Sequence, residues 1–389
     1  MKVLHIIDRF NPTLGQEINF IAKNKNADID LIILTSTSLK TWNIKNHHEV
    51  KEADLDYYKT NEVSIIRQEV FFEIGEKLWL KGIIKTIENL KPEVVYVHGI
   101  EYITFIRIIL WHAFNQPLGY RLYTDTHSLF QFTKGSIFRS IYYSLLKALI
   151  IPLVNKLNVI TFYTAEENKD LLQKFYKVKP TLIKSFIIGA DLTTFKFDEN
   201  ERLKKRLQYQ IKNEELLIVF SGRLCVQKGP HLILEAFNKI KYQLTKPISL
   251  LFIGFHDDAY IDNVMKPLVD SSIRVFLEMA QPSKLLPGYF SAADFAVFPL
   301  ESTLSSLECQ ACRLPVIMED NATNHQRAKM GGLLYEKGNL DDMAYKILRL
   351  VNDSGLRYRL SAAGYTYVSQ NYNYLINLRQ MEDILKEHE

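Results

Sequence analysis

The chain has 389 residues, 47% hydrophobic and 24% charged, with 16 Gly, 12 Pro and 3 Cys. This balance excludes a collagen-like, low-complexity or disulfide-scaffolded protein, and the length suits two domains of roughly 100–200 residues. The net charge is +4 and the pI about 8.6, too modest for a nucleic-acid binder that also lacks a binding motif.

Short β-branched and aromatic runs recur along the chain. In the first half they cover residues 3–7, 30–35, 63–67, 94–98, 121–124, 159–163 and 182–188. In the second they cover 216–220, 249–253, 273–277, 295–298, 315–318 and 332–334. Most are continuously apolar, the pattern of strands buried on both faces of a parallel sheet. Helical patterns intervene, for example over 79–90, 232–244 and 340–352. Strand alternating with helix predicts α/β architecture with right-handed crossovers. The boundary falls near 189–213, where a charged run precedes the strand at Leu216. This divides the chain into 1–195, 196–365 and a C-terminal helix, 366–389, packing back towards the first domain. Ligands of open α/β sheets bind outside the carboxyl ends of the strands, so chemistry is expected just after them.

The positive excess is uneven. Residues 1–195 carry 24 Lys+Arg against 20 Asp+Glu, and 196–389 carry 24 of each. Between Lys134 and Lys184 nine basic residues face three acidic ones. The stretch 134–147 reads as a basic amphipathic helix, either lying in a membrane interface or packing on the core. The apolar run 141–157 is shorter than the roughly 20 residues of a span. No signal-peptide pattern opens the sequence.

Two segments after strands carry candidate chemistry. Phe220-Ser221-Gly222-Arg223-Leu224-Cys225-Val226-Gln227-Lys228-Gly229 holds an Arg and a Lys between glycines. Arg can grip two oxygens, Lys supplies a point charge, and Gly admits close backbone approach, which suits a diphosphate. An ordinary strand–helix turn with two surface cations is the competing reading. It is not a Walker loop. Glu301-Ser302-Thr303-Leu304-Ser305-Ser306-Leu307-Glu308 follows the strand at 295–298. Ser302, Thr303, Ser305 and Ser306 are N-cap candidates for a helix running to about Cys312, whose free N–H groups suit an anion. Glu301 and Glu308 can accept hydrogen bonds from sugar hydroxyls or be plain helix-start charges. Cys309-x-x-Cys312 reads as buried packing, since no second ligand pair follows at zinc spacing. His98 ends a strand and stays an open candidate; His5, His47, His48 and His112 read as structural or surface residues.

Together these segments resemble the signature regions of family 4 retaining glycosyltransferases. Gly222-Arg223-Leu224, Lys228-Gly229, Glu235-Ala236-Phe237 and Leu307-Glu308 with Leu314-Pro315-Val316 carry the likeness. Weaker matches lie at 12–15, 90–98, Tyr123-Thr124-Asp125-Thr126-His127, Ile188-Gly189-Ala190-Asp191 and Phe252-Ile253-Gly254. The resemblance implies a GT-B fold: two facing Rossmann-like domains with parallel sheets and a cleft between them. It implies sugar transfer from a nucleoside-diphosphate sugar with retention of configuration, without a cofactor or an essential metal. The acceptor would be a glycan or a lipid-linked molecule, in surface polysaccharide or glycoconjugate synthesis. The setting would be the cytoplasm, at the inner face of an anionic membrane.

Carried over, Arg223 and Lys228 would grip the diphosphate and stabilise its developing charge. Glu308 would bind the ribose and Glu301 the donor sugar. Backbone N–H groups of Thr303, Leu304 and Ser305 would meet the phosphates. Gly15, Gly222 and Gly254 would let backbone approach the donor, and His127 would face the sugar from the first domain and assist at the reacting centre. Three departures stand out. Glu301 and Glu308 are separated by six residues where the family has seven. The Phe-Gly between them is missing. Gly15 is flanked by Leu14 and Gln16. They keep open a non-catalytic sugar-binding or scaffold subunit. A sugar-nucleotide epimerase is a third reading.

Overall fold

The computed structural model describes the whole chain except residues 13–16, 39–46, 75–76, 116–118, 129–135, 257, 301–302 and 388–389. The expected site residues Gly15 and Glu301, the cap candidate Ser302 and part of the basic stretch 134–147 lie outside the described residues. The chain forms two units: Met1–Ile187 with Ile376–Glu389, and Ile188–Leu375.

The first unit is built on a seven-stranded parallel sheet. Its strands are β1 (Lys2–Ile6), β2 (Asp30–Ser36), β3 (Ser64–Gln68), β6 (Val94–Val97), β7 (Arg121–Thr126), β8 (Ile160–Tyr163) and β9 (Ile183–Ser185), in the order β3-β2-β1-β6-β7-β8-β9. Val3, Leu4, Ile6, Val94, Val95 and Val97 are all buried. Helices on both faces leave no solvated side, so the strands read as unbroken apolar runs. A hairpin, β4 (Val70–Ile74) and β5 (Lys77–Leu80), interrupts the alternation.

That hairpin corrects the helix expected over 79–90. Lys77-Leu78-Trp79-Leu80 alternates, with Leu78 and Leu80 fully buried and Trp79 turned outward beneath Arg107. The helix starts only at Ile83, behind Gly82, whose φ of 65° interrupts regular backbone.

The second unit carries a six-stranded parallel sheet. Its strands are β10 (Leu216–Ser221), β11 (Ile248–Ile253), β12 (Arg274–Glu278), β13 (Phe295–Phe298), β14 (Val316–Glu319) and β15 (Gly332–Tyr335), in the order β12-β11-β10-β13-β14-β15. In each sheet the order reverses beside the first strand, β1 or β10. This makes a topological switch point, where open α/β sheets take ligands.

The division differs from the expected 195 and 365. Gly189 belongs to the second unit because it is pressed against Tyr372: Ala190 N–H donates to the Tyr372 carbonyl at 2.8 Å, and a Cβ on Gly189 would lie 2.0 Å from that oxygen. The helix Ser354–Asn371 also stays there. Gly364 lies so close to Gly331 that a Cβ would fall 2.7 Å from the Gly331 Cα. Only the last helix, from Ile376 onward, joins the first unit. Leu378, Met381 and Leu385 are buried, and buried Glu382 accepts from Asn26 N–H and Nδ2 at 3.0 and 2.6 Å.

The basic amphipathic stretch forms a continuous helix, Ile137–Lys156, of 20 residues and mean hydropathy 1.5. By length and composition it could cross a membrane, beyond the shorter apolar run expected over 141–157. Yet one side is core: Tyr143, Leu146, Ile150, Ile151 and Val154 are buried. The wide-turned segment Leu146–Ile150 comes just before Pro152, which has no N–H to continue an α-helical ladder.

Candidate functional site

In the second unit the Arg/Lys loop leaves β10. Gly222 N–H donates to the Ile253 carbonyl at 3.0 Å, and Leu224 N–H to Phe255 at 2.8 Å. Gly254 sits behind this turn, where a Cβ would lie 1.7 Å from the Gly222 carbonyl oxygen. Both glycines therefore serve a backbone-to-backbone contact that shapes the loop. Arg223 projects from it, exposed; its carbonyl accepts from Cys225 N–H at 3.1 Å, and its guanidinium has no hydrogen bond or ion pair among the described residues. Lys228 is half-buried, one residue before Gly229, which starts the helix Pro230–Ile240 with a φ of 67°.

The second segment departs from its expected form. The helix is Ser305–Ala311, and its cap residue is Leu304, with no side-chain cap. Thr303 instead organises the turn. Its Oγ1 accepts from Ser305 N–H at 3.3 Å, and its carbonyl accepts from Ser306 Oγ at 2.8 Å and Arg327 Nη1 at 2.9 Å. The Ser305 N–H is thus already engaged. Those of Thr303 and Leu304 have no partner among the described residues. Glu308 is half-buried on the next turn; burial pushes its carboxyl up to about 7, opposed by a hydrogen bond from Ser305 and assisted by Asp191. Cys309 and Cys312 are buried, and burial pushes both thiols up, consistent with packing.

The first unit gathers a cluster at the carboxyl ends of β1, β6 and β7. His5 on β1 faces His98, just past β6, with Nδ1 and Nε2 2.9 Å apart. His98 Nδ1 lies 2.8 Å from Asp125 Oδ2 on β7. Gly99 N–H donates to the other oxygen, Oδ1, at 2.7 Å. His127, two residues on, places Nε2 3.2 Å from Glu17 Oε2 and 3.7 Å from Asp125 Oδ2. Its Nδ1 is 3.2 Å from Thr164 Oγ1. Asp125 and both inner histidines are buried, while the His127 side chain is 44% exposed.

The charges follow from this packing. Burial and His98 hold His5 well below its usual range, and burial raises Glu17 and Glu101. Burial opposes ionisation of Asp125, but the imidazoles of His98 and His127 outweigh it and hold the carboxyl far below its usual range. Burial likewise opposes a charge on His127, and Asp125 and Glu17 overcome it, raising the imidazole to about 9. Glu17, His98 and His127 bring three donor atoms within 4.8 Å of one another, the only such grouping among the described residues. Both His98 nitrogens already face His5 and Asp125, so the hydrogen-bonded network uses the atoms a cation would need.

Glu17, Asp125 and Thr164 carry no role in the sequence reading, His5 reads there as structural or surface, and His98 is an open candidate without a partner named. They lie up to 159 positions apart, from His5 to Thr164, in no motif spacing. The visible signal was one of position only: each lies at or just after a strand, or opens a helix.

Fold and strand order define a GT-B protein. HepE from Anabaena, solved with UDP, superposes with a TM-score of 0.75 at 14% identity, over 99% of this chain and 100% of that one. WaaG, a glycosyltransferase involved in lipopolysaccharide biosynthesis, superposes with a TM-score of 0.68 at 13% identity, over 99% and 100%. Residues 201–367 match the family model of glycosyl transferases group 1. Among relatives, the capsular polysaccharide biosynthesis glycosyltransferase CapM of Staphylococcus aureus is 25% identical over 60% of each chain. A D-inositol 3-phosphate glycosyltransferase of Jonesia denitrificans is 24% identical over 51% of this chain and 50% of its own. The matched region thus spans between half and three-fifths of these relatives.

Proposed function

We propose that the protein is a retaining hexosyltransferase that needs no metal. It moves a sugar from a nucleoside-diphosphate sugar to a glycan or lipid-linked acceptor in surface polysaccharide or glycoconjugate synthesis. The observation that carries the reading is Arg223: an exposed guanidinium, without a partner among the described residues, at the carboxyl end of β10 on a loop shaped by Gly222 and Gly254. A fixed cation there would grip two diphosphate oxygens, with Lys228 adding a second charge, and both would stabilise the charge that develops as the glycosidic bond breaks. The N–H groups of Thr303 and Leu304 would meet the phosphates, and Glu308 would accept from the ribose hydroxyls. Gly15 and Glu301 keep the roles the family resemblance gives them, and His127 the side facing the sugar. HepE, a protein of the same fold, has been solved with UDP-glucose, which supports a nucleotide-sugar donor.

The test is calorimetric titration with a panel of nucleotides and nucleotide sugars, followed by NMR of the product's anomeric configuration. One sugar nucleotide should bind, and its anomer should be kept. Absence of any nucleotide binding would favour the scaffold reading, an altered sugar from donor alone would favour the epimerase, and an inverted product would overturn retention.

We further propose that the acceptor is reached at the inner face of a membrane. The outward side of the helix Ile137–Lys156 supports this: Ile137, Phe138, Ile141, Leu145 and Leu149 are 72, 82, 51, 54 and 62% exposed. An apolar face of this kind lies in an interface when its surroundings attract the headgroups. No acidic residue occurs from 126 to 165, while Lys134, Arg139, Lys147 and Lys156 do. Co-sedimentation with phosphatidylglycerol-containing vesicles should capture the protein, and Phe138→Ser/Ile141→Ser should release it without loss of thermal stability. Equal binding by that variant, or none by the wild type at low salt, would contradict the surface.

A further inference from the structure

We propose that Asp125, Glu17 and Thr164 are positioning residues that keep His127 doubly protonated, so that it meets the substrate as a fixed cation and not as a base. The proposal rests on the reading that His127 faces the donor, but its ionisation state stands on geometry alone. The Nε2 edge looks at two carboxylates, Glu17 at 3.2 Å and Asp125 at 3.7 Å. Carboxylates accept, so Nε2 carries a proton.

The other edge is settled by Thr164. Its Oγ1 reaches two acceptors, the Thr126 carbonyl at 3.2 Å and Asn168 Oδ1 at 3.0 Å. The Asn168 amide is oriented by its own Nδ2, which donates to the Ser128 carbonyl at 2.7 Å, leaving Oδ1 towards Thr164. A hydroxyl has one proton to give. With that proton directed to Asn168 or Thr126, the hydroxyl oxygen accepts from His127 Nδ1–H at 3.2 Å. Both ring nitrogens are then donors, which is the imidazolium.

The elements around the ring agree. β7 brings Asp125, its Oδ1 fixed by Gly99 N–H, and the helix Glu17–Asn24 brings Glu17. The segment after β6 brings His98, Nδ1 of which faces Asp125, and buried Glu101, which also favours the cation. β1 brings His5, which stays neutral behind His98. Gly99 has a φ of 96°, and a Cβ there would strike the Tyr102 ring at 2.4 Å, so the turn that clamps Asp125 requires glycine. With both N–H groups committed to the protein, His127 cannot accept an acceptor hydroxyl's proton. It acts through its charge and its exposed ring edge.

The experiment is ¹⁵N NMR of the full-length protein labelled at histidine, with the His127 signals assigned by their loss in His127→Gln. At pH 7.5 both His127 nitrogens should show the protonated shift. Asp125→Asn should lower the midpoint of that titration by about one to three pH units, the usual effect of removing an adjacent opposite charge. Glu17→Gln, at a more exposed position, should lower it in the same direction and serves if Asp125→Asn does not fold. Thr164→Val should remove the Nδ1 partner and lower it as well. A neutral His127 at pH 7.5 in the wild type, or a midpoint unmoved by Asp125→Asn and Glu17→Gln, overturns the proposal. None of these readouts uses transferase activity, so they stand apart from failure of the functional reading.

Discussion

Replacing Glu308 by Gln separates stability from function. The Glu308 carboxyl is raised from 4.5 to about 7, first by burial and then by Asp191. The folded protein therefore binds a proton more tightly than the unfolded chain, and stability falls as pH rises from about 4.5 to about 7, then stays reduced above. At 1.36 kcal/mol per pH unit the deficit is at most about 3 kcal/mol. Gln occupies the same space without the charge and loses part of the Ser305 hydrogen bond, so Glu308→Gln should gain about 1–3 kcal/mol at pH 8. For a unit of this size that raises Tm by about 2–10 °C. Thermal unfolding of both proteins at pH 8 and pH 4 is the assay. The gain should be present at pH 8 and vanish at pH 4, where Glu308 is protonated in folded and unfolded chains alike. The same variant should bind the donor nucleotide about tenfold or more weakly, since a charged acceptor is lost. A variant less stable than wild type at pH 8, or an equal gap at both pH values, would refute the reasoning.

Other outcomes follow from the same packing. Gly254→Ala places a methyl 1.7 Å from the Gly222 carbonyl and must displace the Arg223 loop; circular dichroism melts should show a loss of about 3 kcal/mol or more, with donor binding lost in whatever remains folded. Arg206 is buried and spans Asp294 and the carbonyls of Ala292, Lys212 and Glu215. Arg206→Ala should cost about 1–3 kcal/mol in urea unfolding, because the Glu215 carbonyl loses its donor while Asp294 keeps Arg202 and Leu217 N–H. Gly189→Ala should destabilise the second unit, read as a lower first transition in a calorimetric scan, by prying Ala190 from Tyr372.

Much of the fold was legible because parallel strands buried on both faces leave a simple mark. Runs such as Leu216–Ser221 and Ile248–Ile253 are buried at every position and read as unbroken apolar stretches. The β4–β5 hairpin was missed because only Lys81 and Gly82 separate the apolar Trp79-Leu80 from the apolar helix start at Ile83-Ile84. Only the inward-outward alternation at 77–80 and Gly82 mark the change. The unit boundaries were displaced because they are set by backbone contacts, Gly189 on Tyr372 and Gly364 on Gly331, that no local pattern encodes.

The candidate site was legible unevenly for a related reason. Arg223, Lys228 and Glu308 lie in two short segments after β10 and β13, so their proximity to strand ends could be read from order alone. In the first unit the chemistry is assembled from β1, β6, β7, the residue after β8 and a helix start. Asp125 gains its meaning only when parallel pairing sets β7 beside β6 and carries His98 to within 2.8 Å. The helix-start reading at Thr303, Ser305 and Ser306 failed in detail because Thr303 uses its hydroxyl and carbonyl to build the turn and Leu304 takes the cap.

In the proposed reaction Arg223 and Lys228 stabilise the departing nucleoside diphosphate. The most direct test of that role is the single-turnover rate of sugar transfer in wild type, Arg223→Ala and Lys228→Ala, at saturating donor. Each substitution should lower the rate by about 10²–10³, the usual effect of removing a preorganised group that meets developing charge. Rates unchanged in both variants would contradict it.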